Sequence, residues 1–149
     1  MIFPQEKIQA LDFDLESVTF PCGSRFYTTP NGKYPSVTTI MSGHNKEFLD
    51  AWVDRVGVEE SNKIKRIAAS RGTKIHDIME SYVKNELSSM KIKMMDPDIK
   101  QLFINMRPFV DKHLTKVYTT EQALYSDKYG IAGRTDVIGE WDGEPAIID

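Results

Sequence analysis

Three acidic residues near the end of the chain, Glu121, Asp136 and Asp149, are separated by two turn signals, and their spacing is that of a metal-binding row. Asp142-Gly143 is a strong hairpin signal between Asp136-Val137-Ile138-Gly139 and Ala146-Ile147-Ile148-Asp149. A turn centred there sets Asp136 directly opposite Asp149. Upstream, Asp127-Lys128-Tyr129-Gly130 has Asp first and Gly fourth, the preference of a type I turn. Centring that turn on Lys128-Tyr129 sets Glu121 opposite Asp136. Opposed side chains on one sheet face have Cβ atoms roughly 4.5–5.5 Å apart, where like charges repel. A row of carboxylates therefore persists most easily around a cation, and oxygen donors on neighbouring strands suit Mg²⁺ or Mn²⁺. The competing reading is a solvated acidic face, and a single bulge would send one carboxylate to the other side of the sheet.

His76 and Glu80 lie four apart in a helical pattern and so project from one face, a turn from each other. They can add an imidazole and a carboxylate to a metal site, or can simply pair on the helix surface. Gly72, one turn before His76, lets this backbone approach a neighbour closely. Lys63, Lys65, Arg66, Arg71 and Lys74 fall just before and within the same stretch. They read equally as a track for phosphates and as a solvated face mixed with Glu59 and Glu60. Arg134 is expected to serve the fold rather than touch phosphate. Phe48 and Trp52 can stack on unpaired bases, but their helical spacing reads as core first.

The elements that must position these groups run strand-like, helical, then strand-like. Ser24 to Thr29, the turn Pro30-Asn31-Gly32-Lys33 and Tyr34 read as a small hairpin. Ser36 caps a short helix through Met41, and Glu47 to Arg55 has helical spacing. Glu59 to about Glu86 reads as a long helix that can break at Gly72, burying Ile75, Ile78, Met79, Tyr82 and Val83. Asp96 and Pro97 open a third helix to about Tyr118, which Pro108 bends or breaks. The expected organisation is one domain over 1–149: a strand-like region over 1–35, a helical region over 36–118 and a three-strand meander over 119–149.

Composition bounds the partners. The net charge of −3 over 149 residues excludes a wholesale polybasic binder, though not a local basic groove. The lone cysteine, Cys22, forms no internal disulfide and fits a reducing compartment. No apolar run reaches the length of a membrane span, and the opening residues lack the layout of a secretory signal, so no membrane partner is expected. A cytoplasmic location is the default, with an organelle matrix second.

Three segments in this order carry a resemblance. They are Tyr34-Pro35-Ser36-Val37-Thr38-Thr39-Ile40; Arg71-Gly72-Thr73-Lys74-Ile75-His76 with Glu80; and Glu121 to Ser126 followed by Ala132-Gly133-Arg134-Thr135-Asp136 and Ala146-Ile147-Ile148-Asp149. From Tyr34 to Asp149 the chain resembles the nuclease core of the PD-(D/E)XK superfamily, in the RecB-like branch of phage exonucleases and the mitochondrial genome-maintenance exonuclease. The middle segment is similar to that branch's helical Gly-Thr-x-x-His-x-x-x-Glu motif. The resemblance implies an α/β (α+β) fold with a restriction-endonuclease-like core, a small antiparallel sheet flanked by long helices.

It further implies a metal-dependent deoxyribonuclease of the exonuclease type, acting on single-stranded DNA or duplex ends in DNA repair or recombination, in a bacterial or phage-infected cell. His76, Asp136 and Asp149 are then the ligands of Mg²⁺ or Mn²⁺. Asp136, Asp149, Glu121 and Glu80 form the catalytic acidic set, the two glutamates in support. Lys63, Lys65, Arg66, Arg71 and Lys74 are the DNA-binding cations. The family places a lysine two residues after the second strand aspartate, and often a glutamine or tyrosine on a later helix. This sequence holds neither position, so the resemblance implies a core cut short at its C-terminal end, whose open strand edge invites a homo-oligomer. The alternative is a catalytically inactive nuclease-like fold, serving as a nucleic-acid-binding or assembly module.

Overall fold

The computed structural model describes residues 1–44 and 46–149, and its architecture mixes helix and sheet, as expected of an α+β protein. The chain divides into two compact units. The first gathers Met1–Leu11, Lys65–Glu121 and Thr135–Asp149; the second gathers Asp12–Ile64 and Gln122–Arg134. Among the described residues no helix is long and apolar enough to cross a membrane.

In the second unit, β1 (Ser17–Thr19), β2 (Arg25–Thr29) and β3 (Gly32–Pro35) form an antiparallel sheet in that order. Thr29 pairs with Gly32, which leaves Pro30-Asn31 as a two-residue loop. The hairpin matches its sequence signals, whereas β1, only three residues long, gave no periodicity to read. Ser36 caps α1 (Val37–His44), its Oγ accepting the Thr39 N–H at 3.0 Å. This satisfies one of the orphan donors of the first turn, and the helix runs three residues beyond the expected Met41. Helix α2 spans Lys46–Val56. Leu15, Tyr27, Ala123 and Ala132 form the core here, with Tyr34 and Tyr125 packed against it. Phe48, expected in a core, is 74% exposed. Helical spacing shows which residues share a face, not whether another element covers that face.

Helix α3 (Val58–Val83) continues unbroken through Gly72 and buries Ile78, Tyr82 and Val83, with Ile75 and Met79 beside them. A short helix, α4 (Ser89–Lys93), had no counterpart in the sequence reading. Helix α5 (Pro97–His113) starts at the proline as expected and passes Pro108 without ending there. Its C-terminus corrects the expected boundary. Strand β4 (Leu114–Ser126) begins where the helix was expected to continue to Tyr118. The run Thr115, Val117, Tyr118, Thr119 and Thr120 is β-branched or aromatic and favours strand. Leu114 and Val117 are buried at period three in a core that also holds Phe3, Ile99, Phe103 and Val137.

The N-terminal segment completes this first unit by pairing with β4. The Glu6 N–H donates to the Val117 carbonyl and the Val117 N–H to the Pro4 carbonyl, both at 2.9 Å. Asn85, in left-handed conformation at φ 63°, accepts the Phe3 N–H at 2.8 Å and donates to the Phe3 carbonyl at 2.9 Å.

Strands β4, β5 (Ile131–Trp141) and β6 (Glu144–Ile148) lie in that order in the second sheet. The β5–β6 register pairs Val137 with Ile148 and Trp141 with Glu144, so the turn is the expected Asp142-Gly143, with φ of 53° and 85°. Positive φ at both positions is the type I′ geometry that matches strand twist. In such a hairpin the residues flanking the turn bond to each other, so Glu144, Ala146 and Ile148 face β5. Pro145 and Ile147 then turn their backbone outward, and Pro145 removes no bond from the ladder.

Candidate functional site

All five residues expected to carry chemistry line one cavity of about 320 Å³, built within the first unit: His76 and Glu80 from α3, Glu121 from β4, Asp136 from β5, and Asp149 just after β6. Asp136 and Asp149 are the next residues beyond the Val137–Ile148 pair, so the register sets them opposite each other as expected.

Glu121 arrives differently. The Asp142 N–H donates to the His113 carbonyl at 2.8 Å, which sets His113 opposite Asp142. A turn centred on Lys128-Tyr129 would have set Thr115 there. Between that turn and this bond β4 therefore holds two residues more than the simple register. Glu121 has φ 52° in mid-strand, the left-handed conformation that bulge residues take and other non-glycine residues rarely do. From this position Glu121 lines the cavity. Close strand approach also explains Gly139: a Cβ there would stand 2.2 Å from the Lys116 carbonyl oxygen.

His76 and Glu80, expected as partners of one another, each find another group. His76 Nδ1 lies 3.0 Å from Asp136 Oδ2, and Lys84 Nζ lies 2.5 Å from Glu80 Oε1. The His76 bond joins a helix to a strand and fixes the ring, which makes Nε2 the nitrogen suited to a ligand. Lys84 is the i+4 partner of Glu80, a pairing that helical spacing alone makes legible.

The other wall of the cavity is apolar, formed by Met79, Val83, Met106, Val110, Trp141 and Ile148 among others. Near it lies His113, at the end of α5. Its side chain is not a plain helix-surface group: it is 19% exposed, its Nδ1 lies 2.8 Å from Asp142 Oδ1, and its ring stacks on Trp141 at 5.2 Å. It ties the end of α5 to the β5–β6 turn.

The donor types suit Mg²⁺ or Mn²⁺. Aspartate oxygens are hard ligands, and an imidazole is tolerated best by Mn²⁺. Among the described residues, however, no three His, Cys, Asp or Glu side chains form a group already placed to hold a metal ion.

The five candidate DNA-binding cations are exposed along α3. Lys63 pairs with Glu60 at 3.5 Å, Arg71 with Asp98 at 3.5 Å and Lys74 with Asp96 at 2.5 Å. The hydrogen bond from Lys74 to Asp96 raises the ammonium pKa above its ordinary value. Asp96 occupies the N-cap position of α5 without a capping bond, its carboxylate turned to Lys74 instead. Arg134 donates from Nη2 to Asp14 at 2.6 Å, the structural role expected of it.

No protein-family model matches the chain, and no curated protein matches its sequence.

Proposed function

We propose that the cavity is a divalent-cation site for phosphodiester hydrolysis, with the chemistry of a metal-dependent DNA exonuclease of the PD-(D/E)XK kind. One observation carries the reading: His76, Glu80, Glu121, Asp136 and Asp149, the residues whose types and spacing in the sequence point to a metal site, line a single cavity. The strained backbone at Glu121 adds support, since such outliers recur at functional sites.

In this reading Asp136, Asp149 and His76 hold Mg²⁺ or Mn²⁺, which supplies Lewis acidity and activates a water. Asp136 keeps the His76 ring oriented through Nδ1. Glu80 and Glu121 supply further negative charge, and Lys84 holds the Glu80 carboxylate in place. Lys63, Lys65, Arg66, Arg71 and Lys74 meet backbone phosphates, Lys63, Arg71 and Lys74 by exchanging carboxylate partners for phosphate, and added salt weakens this binding.

The second reading, a nuclease-like fold that binds without cutting, draws on the absence among the described residues of a ready three-ligand group. One pair of measurements separates the two. Mn²⁺ binding is followed by the paramagnetic resonance of the free ion, in the wild type and in Asp136→Asn and Asp149→Asn; release of label from end-labelled single-stranded and duplex DNA is followed with the same proteins and with a chain extended past Asp149. The enzyme reading expects Mn²⁺ binding at least tenfold weaker in either variant, and Mn²⁺-dependent release by the protein extended through a lysine two residues after Asp149. Binding without release favours the second reading, and a folded wild type that binds neither Mn²⁺ nor Mg²⁺ overturns the metal site.

A further inference from the structure

The tip of the β2–β3 hairpin carries chemistry unrelated to the cavity. Asn31 is followed by Gly32, and both are exposed. The other asparagines, Asn45, Asn62, Asn85 and Asn105, precede Lys, Lys, Glu and Met, whose side chains shield the next backbone nitrogen. Gly32 has no such shield, and its φ of 148° is one that L side chains rarely adopt. The Asn31 side chain also joins two turns of the second unit. Its Nδ2 donates to Asp127 Oδ2 at 2.9 Å, while the Tyr34 hydroxyl donates to Asp127 Oδ1 at 2.7 Å. Tyr34 in turn packs against the core of Leu15, Tyr27, Ala123 and Ala132.

We infer that Asn31 is a site of spontaneous deamidation, and that its conversion turns the contact with Asp127 from a hydrogen bond into a repulsion. The backbone nitrogen of Gly32 attacks Cγ of Asn31 and forms a new C–N bond, closing a succinimide. The bond from Cγ to Nδ2 breaks, and that nitrogen leaves as ammonia with the proton Gly32 gives up. Water then opens the ring at either carbonyl, leaving aspartate or isoaspartate at position 31.

The consequence follows from donor counting. Asparagine offers two N–H donors; an ionised carboxylate offers none. After conversion an anion faces Asp127 Oδ2, acceptor against acceptor, and the anchor that also holds Tyr34 acquires a like-charge neighbour. Both carboxylates are exposed, so water and salt screen the repulsion, and its effect shrinks as ionic strength rises.

The test uses the whole chain. Wild-type protein is kept in mildly alkaline buffer and digested with trypsin, which releases the peptide 26–33. The expected result is a mass gain in that peptide equal to exchange of an amide for an acid, with ammonia released, absent in Asn31→Gln. In parallel, Asn31→Asp supplies the product directly. It is expected to lower the thermal midpoint, by less at high salt, and the double variant Asn31→Asp with Asp127→Asn is expected to restore it, since position 127 then donates. A peptide 26–33 that stays unmodified overturns the proposal. So does an Asn31→Asp midpoint equal to wild type, or one that Asp127→Asn fails to raise.

Discussion

His76 and Asp136 show how much of a site rests on single atoms. The bond from Nδ1 to Oδ2 spans helix and strand, and one backbone position, Gly139, sets how closely the strands beside it can lie. A methyl group at 139 would meet the Lys116 carbonyl oxygen at 2.2 Å and its carbon at 3.3 Å, backbone atoms that cannot swing aside. Gly139→Ala should therefore part β4 from β5 and destabilise the protein by about 1–3 kcal/mol, the range for overpacking, read as a lower urea midpoint. A second residue-scale effect depends on pH. Glu140 accepts from the Tyr118 hydroxyl at 2.6 Å and lies 3.1 Å from Lys116 Nζ. These partners, Tyr118 foremost, hold its carboxyl below the ordinary glutamate value. A depressed folded pKa gives stability that is present above the unfolded value of about 4.3 and is lost as pH falls through the folded one. Glu140→Gln should thus be less stable than wild type at neutral pH, and the gap should close on acidification; an unchanged gap in urea midpoints would contradict this assignment.

At the scale of elements, the edge of the second sheet is guarded by its own sequence. Pro145 turns outward on β6, where it presents a carbonyl but no N–H, while Ile147 beside it is 65% exposed. An edge strand with an exposed apolar side chain is a template for pairing, and proline is one of the residues that blunt such edges. Pro145→Thr restores a donor without disturbing the ladder to β5. The expected outcome is self-association that rises with concentration, seen by sedimentation or light scattering, at unchanged secondary structure. A variant that stays as dispersed as the wild type would show that Ile147 alone does not make the edge adhesive.

At the scale of the molecule, what the sequence made legible was whatever a local rule specifies. Asp-Gly fixed the β5–β6 register, Ser36 and Pro97 announced their helices, and the helical period found the buried side of α3. The two residues by which β4 exceeds the simple register were not legible, because a local departure from the ladder carries no composition signal of its own. Nor were the ion pairs of Arg71 and Lys74, which depend on α5 meeting α3. Phe3 is the extreme case, a residue near the chain start with no periodicity around it. It is 2% exposed, meets Tyr82 edge to face at 5.4 Å, and is clasped through its backbone by Asn85. Removing a buried phenylalanine typically costs about 3–5 kcal/mol, against a whole-domain stability of roughly 5–15 kcal/mol. Phe3→Ala should accordingly bring the denaturant midpoint down by a large fraction with little change in slope, the mark of altered stability rather than altered unfolded state. Asn85→Ala leaves the ring in place and removes only the clasp, so it should fall between Phe3→Ala and wild type. Equal losses in the two variants would mean that the backbone bonds, rather than the ring, hold the segment to its unit.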